Sequence, residues 1–408
     1  MLIVAILLAL FSLPVLAGAT YLFVLTLLSG RRPPPVYGDP RLRFDFVVPA
    51  HDEEIGIAGT VASLRAVDYP AELYRVIVVA DNCSDATAAR AEEAGATVLV
   101  RTDPDRRGKG YALKLAFDRS LADGRADAVV VVDADTLVTP NLLRAFSARF
   151  EAGAKAAQAE YGVRNPNASW RTRLMVIALA TFHGVRSLGR ERLGVSSGLR
   201  GNGMAFTREV IAAVPHEAFS LVEDLEYGMR LARAGYAVRY VPEGRVAGEM
   251  VSTENASRSQ RRRWEGGRID MVRRHGWALV KEAFAKRDRV IFDVAMDVLV
   301  PPLTYLFGLA CVGTAAAVGC ALLIGHGSAL ASAGAAASAL AIAPWALSVV
   351  MIVSYVLRGL VLSETGLRGL LDLAWAPVYI AWKLALSLSN PRNRGEGWVR
   401  TTREDDKA

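Results

Sequence analysis

Polar and apolar positions divide the chain into three unlike regions. Residues 2 to 29 carry no charged side chain. At about 1.5 Å per helical residue that run exceeds the ~30 Å hydrocarbon thickness of a bilayer. A cleaved leader is the competing reading, since Leu16-Ala-Gly-Ala19 offers small residues, but the run is too long and no basic residue precedes it. An uncleaved membrane helix over 1–29 is expected. Between 44 and about 285 the pattern becomes short apolar runs alternating with amphipathic ones. Strands are predicted at Phe44 to Ala50, Tyr74 to Ala80, Thr97 to Val100, Ala128 to Val132, Ala156 to Tyr161 and Ala237 to Val241. Helices are predicted at Glu54 to Leu64, from a Ser84 cap to Gly95, Lys109 to Leu121, Ala168 to Arg192, Glu223 to Ala234 and Arg258 to His275. Strands alternating with helices of this length predict an α/β domain with a mostly parallel sheet. Apolar runs then return. Residues 303–325 and 330–357 are long enough to span, whereas Arg368, Asp372 and Lys383 punctuate 366–389 and favour a helix lying in the interface.

These regions set the expected domain plan: a membrane helix (1–29), a proline-rich linker (30–43), a cytoplasmic catalytic domain (44–285), a membrane region (286–389) and a cytoplasmic tail (390–408). Arg31 and Arg32 follow the first span, and Arg392, Arg394, Arg400 and Arg403 lie in the tail. The positive-inside rule puts both on the cytoplasmic side of a bacterial-type inner membrane, in a multi-pass protein. The net charge of +7 is spread through the chain, which points to an anionic membrane surface or phosphates and not to nucleic acid. The cysteines Cys83, Cys311 and Cys320 show no metal-ligand spacing and give no disulfide framework.

Candidate chemistry clusters at strand ends. The run Asp127-Ala-Val-Val-Val-Val-Asp133-Ala-Asp135 is a doubly buried strand that ends in two acids. Open α/β sheets bind ligands beyond the carboxyl ends of their strands, and two hard oxygen donors there suit Mg²⁺ or Mn²⁺. His51-Asp52-Glu53-Glu54 and Asp81-Asn82 follow two other strands. Each alone is most simply a turn or cap, but three on one parallel edge converge on a site for a nucleotide and a metal. Gly108-Lys109-Gly110 opens a helix suited to a phosphate or a polar base, or forms a solvated basic loop with Arg106 and Arg107. Glu223-Asp224 opens another helix, where acids favour the dipole and a carboxylate serves as general base. Gln260-Arg-Arg-Arg263-Trp264 supplies a guanidinium for a diphosphate and a flat face for a sugar; the bland alternative is a basic helix on an anionic membrane. Neither a Gly-x-Gly-x-x-Gly after the first strand nor a Walker A sequence occurs.

Taken in order over about 44–270, with Gly201-Asn202-Gly203 between, these elements resemble the membrane-bound, inverting family 2 glycosyltransferases. That group holds the cellulose, chitin, hyaluronan and poly-N-acetylglucosamine synthases. Trp398-Val-Arg400-Thr-Thr-Arg403 also resembles a tail of bacterial members. The resemblance implies a GT-A type nucleotide-sugar-binding domain, a nucleotide-diphosphate sugar donor, usually UDP-linked, and Mg²⁺ or Mn²⁺. It implies nucleotide binding by Asp52, Glu54, Asp81, Lys109 and Asp133, and metal binding by Asp133 and Asp135. Asp224 would be the base, with Gly201, Asn202, Glu223, Gln260, Arg263 and Trp264 at the diphosphate and acceptor. The acceptor would be a polysaccharide or other glycan. The alternatives are single-sugar transfer to a lipid-linked acceptor, and a non-catalytic subunit that only binds a nucleotide sugar. Two departures stand out: His51 replaces the frequent tyrosine or asparagine, and the C-terminal spans are few for polymer extrusion.

Overall fold

The computed structural model describes residues 2–252, 254–325 and 331–389; the side chains of Arg262 and Arg263 and the whole tail lie outside the described residues. One eight-stranded sheet organises the middle of the chain. Its strands are β1 (Phe44–Ala50), β2 (Tyr74–Asp81), β3 (Thr97–Arg101), β4 (Ala128–Val131), β5 (Leu137–Val138), β6 (Ala156–Val163), β7 (Met204–Thr207) and β8 (Val238–Gly248), in the order β3-β2-β1-β4-β7-β6-β8-β5. β1, β2, β3 and β4 run parallel, as do β6 and β8; β7 and β5 enter antiparallel. This is a GT-A-like sheet, mixed but mostly parallel.

Side chains alternate along each strand, so the valine-rich strands feed two cores. Phe46, Val48, Val130 and Val132 pack with Ile57, Val61 and Phe146 on one face. Val47, Val129 and Val131 pack with Leu113, Phe117 and Tyr227 on the other. Covering both faces explains why these strands read as continuous apolar runs instead of alternating ones.

The expected helices are present with shifted ends. The first helix of the sheet domain starts at Ile57, not Glu54. Ser84 does not cap the next helix. That helix is Thr87–Glu93 with Ala86 at its cap, and Ser84 instead donates its backbone N–H to Asp52 at 2.7 Å. The long helix before the glycine loop is continuous only through one widened turn, Ala180–Val185, between Trp170–Leu179 and Arg186–Leu193. β8 is longer than expected, because its second half pairs with both β6 and β5.

Three helices, Ile3–Leu28, Leu303–Leu323 and Ala336–Leu362, are long and apolar enough to cross a membrane. They share a cluster that includes Leu22, Leu306, Ala310 and Tyr355. Residues 366–389 form two short helices, Gly366–Leu373 and Ala376–Ser389, neither of them among those spans. A side chain on Gly189 would put its Cβ 2.6 Å from the Leu25 carbonyl oxygen, so glycine there lets the first long apolar helix lie directly on Arg186–Leu193.

The amphipathic helix Arg289–Leu299 joins sheet domain and membrane helices. Ile291, Val294 and Val298 pack against Met229, Ala232 and Met271. Its aspartates point the other way. Asp297 takes Arg186 at 2.9 Å and Arg190 at 3.2 Å, and Asp293 takes Arg190 at 3.0 Å and the Tyr21 hydroxyl at 2.9 Å. Burial disfavours the charge of Asp297, yet the surrounding guanidiniums of Arg190, Arg200 and Arg186 outweigh it and hold its pKa below the usual range. The network ties Tyr21, on the first span, and Tyr355, on the last, to one buried carboxylate cluster.

Candidate active site

The carboxyl ends of β1, β2 and β4 lie side by side, because the three strands pair in parallel register. The His51 ring nitrogen Nδ1 sits 2.6 Å from the Asp81 carbonyl oxygen, joining the first two ends. β4 stops at Val131, and Asp133 follows it out of the sheet. Here the sheet turns to antiparallel pairing, and Gly203 donates its N–H to the Val131 carbonyl at 2.9 Å. Gly203 has φ +70°, and a Cβ there would lie 2.8 Å from Val246. Only glycine brings this loop so close to the exit of β4.

A cavity of about 1540 Å³ opens on this edge. It is lined by Asp81, Lys109, Asp133, Asp135, Gly201, Glu223, Asp224, Gln260 and Trp264, which brings nine of the expected site residues to one wall. Lys109 is its centre. Its ammonium donates to Asp133 at 2.5 Å and to the Gly201 carbonyl at 2.6 Å, and lies 3.6 Å from Glu223. Burial opposes that charge, but Asp133 and Glu223 outweigh it and hold the lysine above its ordinary pKa. Lys109 is therefore an obligate cation that fixes the glycine loop against the acidic strand end.

Glu223 and Asp224 begin the helix Glu223–Arg233. Burial is the largest influence on both and raises both. Glu223 reaches about 7, with Lys109 pulling it down and the Asp224 charge pushing it up. Asp224 rises less freely, since the backbone N–H of Leu225 and the charges of Lys109 and Arg200 favour its carboxylate. A carboxylate poised towards neutrality, in a cavity that also holds an ammonium, can accept a proton from a hydroxyl.

Asp133 and Asp135 both face the cavity, one residue apart. The donor set of two hard oxygens on one wall fits a divalent cation that completes its shell from phosphate and water. Asp52, Cys83 and Asp85 also lie close enough together to ligate an ion. Their atoms are engaged locally: Asp52 accepts from Ser84, Asp85 from Thr87, and Cys83 donates to Ala50.

Three expected residues lie off the cavity wall. Asp52, at φ +52°, and Glu54 brace the turn after β2, Glu54 accepting from the Ala86 N–H at 3.0 Å. Asn202 is fully buried and accepts from the Asp133 N–H at 3.2 Å while donating to Thr136 at 2.8 Å. It shapes the loop from behind. Glu53, between the two expected acids, reaches the cavity instead, because the turn at Asp52 reverses the alternation. Arg263 lies on the helix Glu254–Met271, with its side chain outside the described residues. Sequence reasoning missed Arg200 and Arg268, both on the cavity wall. Their signal was the Asp293-x-x-x-Asp297 spacing, which places two acids on one face of an otherwise apolar helix.

Residues 40–267 match the family model described as glycosyltransferase like family 2. The chain belongs to glycosyltransferase family 2. It is similar to the probable glycosyltransferase YdaM of Bacillus subtilis, 27% identical over 61% of this chain and 60% of that protein. It is also similar to the beta-monoglucosyldiacylglycerol synthase of Synechocystis, 30% identical over 62% of this chain and 55% of that protein. These matches thus span less than two thirds of either relative. Among solved structures, the mannosyltransferase PcManGT of Pyrobaculum calidifontis, in complex with GDP-Man and Mn²⁺, superposes with a TM-score of 0.54 over 90% of this chain and 99% of that one. At 19% identity that likeness shows the fold.

Proposed function

We propose that this family 2 glycosyltransferase transfers one sugar, with inversion, from a nucleotide-diphosphate sugar to an acceptor hydroxyl at the cytoplasmic face of a membrane. The observation that carries the reading is the Lys109 centre: one ammonium holds Asp133, the Gly201 carbonyl and Glu223 around a single cavity. The nucleoside lies against Asp81 and the ends of β1 and β2, and the diphosphate lies towards Lys109 and Asp133. Asp133 and Asp135 fit Mg²⁺ or Mn²⁺, which would supply positive charge to the departing diphosphate. The solved mannosyltransferase is in complex with both GDP-Man and Mn²⁺, which supports the same pair of ligands here.

Asp224 takes the proton of the acceptor hydroxyl as its oxygen attacks the anomeric carbon. The new carbon–oxygen bond forms on the face opposite the diphosphate, whose bond to that carbon breaks with its electron pair. A single displacement inverts the centre, needs one base and leaves no covalent intermediate. Lys109 remains charged throughout and stabilises the anion that develops beside it. The flat face of Trp264, partly exposed on the cavity wall, offers a stacking surface for acceptor or sugar.

The test is release of nucleoside diphosphate by the purified full chain from UDP-, GDP- and dTDP-sugars with Mn²⁺, paired with a thermal-shift screen of the same donors. Donor-specific stabilisation together with diphosphate release is the expected result. Stabilisation without release from any combination would make the chain a nucleotide-sugar-binding subunit.

A further inference from the structure

The cavity is lined by two kinds of residue. Beside the acids and Lys109 of the catalytic wall, its lining includes Ile177, Leu303, Phe307, Ile352, Val356 and Ile380, four of which stand on helices with the length and hydropathy of membrane spans. At about 1540 Å³ it also exceeds the 300–1,000 Å³ usual for one small ligand, which leaves room for a second substrate beside the donor. A water-soluble sugar gains nothing from an apolar chamber walled by membrane helices; a hydrocarbon chain does, at about 0.8 kcal/mol per buried CH₂.

Arginines mark the junction between the two zones. Arg200 and Arg268 line the cavity, backed by Arg186. Arg186, Arg190 and Arg200 put three guanidiniums within 4 Å of two carboxylates, Asp293 and Asp297. Arg200 is 5% exposed; its Nη1 is 3.8 Å from Asp297, its Nη2 donates to the Ser197 carbonyl, and its Nε has no hydrogen-bond partner. Arg268 reaches only carbonyls, those of Asp297 and Val300. Burial lowers both below the ordinary arginine value. Glu223 and Asp224 also line the cavity and face Lys109, and Asp224 and Arg200 feel each other's charge. The Arg200 Nε–H, buried and without a hydrogen-bond partner among the described residues, favours an anion as acceptor, and a guanidinium can give such an anion several bonds at once.

We propose that the deep chamber is the acceptor site for an anionic membrane lipid: a phosphate-class headgroup at Arg200 and Arg268, its chain between the membrane helices, and its hydroxyl presented to Asp224. The last element rests on the transferase reading above; the first two stand on the cavity itself. The donor's diphosphate or free phosphate offers the same anion, and the test separates these sources.

The probe is phosphatidylglycerol with a photoreactive group in one acyl chain, added to the full chain in phosphatidylcholine nanodiscs. The expected crosslinks fall within 303–307 and 352–357. Unlabelled phosphatidylglycerol should compete about tenfold better than diacylglycerol, a difference of about 1.4 kcal/mol, and inorganic phosphate and UDP should not compete. Arg200→Gln should reduce labelling about tenfold. Because Arg200 also contacts Asp297, Val353→Trp, at a cavity position 40% exposed, serves as the second variant and should block labelling by filling the chamber. Labelling elsewhere, or labelling unaffected by Val353→Trp, would overturn the chamber. Equal competition by diacylglycerol would overturn the headgroup, and competition by UDP or phosphate would give the arginines to the donor. Donor thermal shifts on the same sample keep the two readings apart. Lipid labelling without any donor response would sink the transferase mechanism and leave this site standing; the reverse would sink only this site.

Discussion

Replacing Asp224 by Asn tests the chemistry with the least structural disturbance. The two side chains have the same shape. The direct contacts of Lys109 are kept, since they are to Asp133, the Gly201 carbonyl and Glu223. The proton acceptor is lost, together with one negative charge that Lys109 and Arg200 feel. A positioned general base contributes on the order of 10²- to 10⁴-fold. At 1.36 kcal/mol per decade that is about 2.7 to 5.4 kcal/mol of barrier. The drop should appear in kcat, with donor Kd unchanged, in a coupled assay of nucleoside diphosphate release. pH provides the second readout. Burial raises Asp224 above the ordinary aspartate value and carries Glu223 to about 7, so the pair gives up its protons at higher pH than free carboxyls do. The wild-type rate should therefore climb from mildly acidic to neutral pH, a limb that belongs to the acid pair and not to one residue. Asp224→Asn should flatten it. A variant rate within about tenfold of wild type would remove Asp224 from the role. If Glu223→Gln then gave the larger loss, the base would be Glu223.

Three further outcomes follow from the same geometry. EDTA should abolish donor thermal shift and turnover, and Mn²⁺ or Mg²⁺ should restore both in the wild type but not in Asp135→Ala; unchanged binding and turnover in EDTA would return Asp133 and Asp135 to turn residues. Asp297→Asn should destabilise the detergent-solubilised protein by roughly 3–5 kcal/mol in chemical denaturation, because it strands buried guanidiniums; a shift below about 1 kcal/mol would mean the cluster does not depend on that charge. Val36, 98% exposed just after the first span, when changed to Cys in a background lacking Cys83, Cys311 and Cys320, should resist a membrane-impermeant thiol reagent in intact cells and label after lysis, as should Cys at Thr402. Labelling of intact cells would reverse the topology.

What the sequence made legible was whatever obeys a period or a local rule. The valines of β4 announced a two-faced strand, and acids at parallel strand ends had to meet on one edge, because parallel register leaves them no other place. Long uncharged runs announced the spans in the same way. What stayed hidden depends on single dihedrals and on contacts far apart in sequence. Asp52 at φ +52° turns Glu53, and not its neighbours, towards the cavity, and nothing in His-Asp-Glu-Glu foretells which acid faces in. Nothing in the predicted helix Ala168 to Arg192 marks Arg186 and Arg190 as interior, yet both are almost fully buried, since their partners come from a helix about a hundred residues later. That difference bears on function. The residues that read from sequence, Lys109, Asp133, Glu223 and Asp224, form the polar part of the cavity, where the proposed reaction takes place. The part that sequence did not disclose, Arg200, Arg268 and the apolar chamber, forms where the sheet domain meets the long apolar helices. On the reading proposed above, acceptor choice is decided at that junction. Two chains with the same donor motifs would therefore part company in the packing of the helices around 177, 303 and 352, and a search for specificity should begin there.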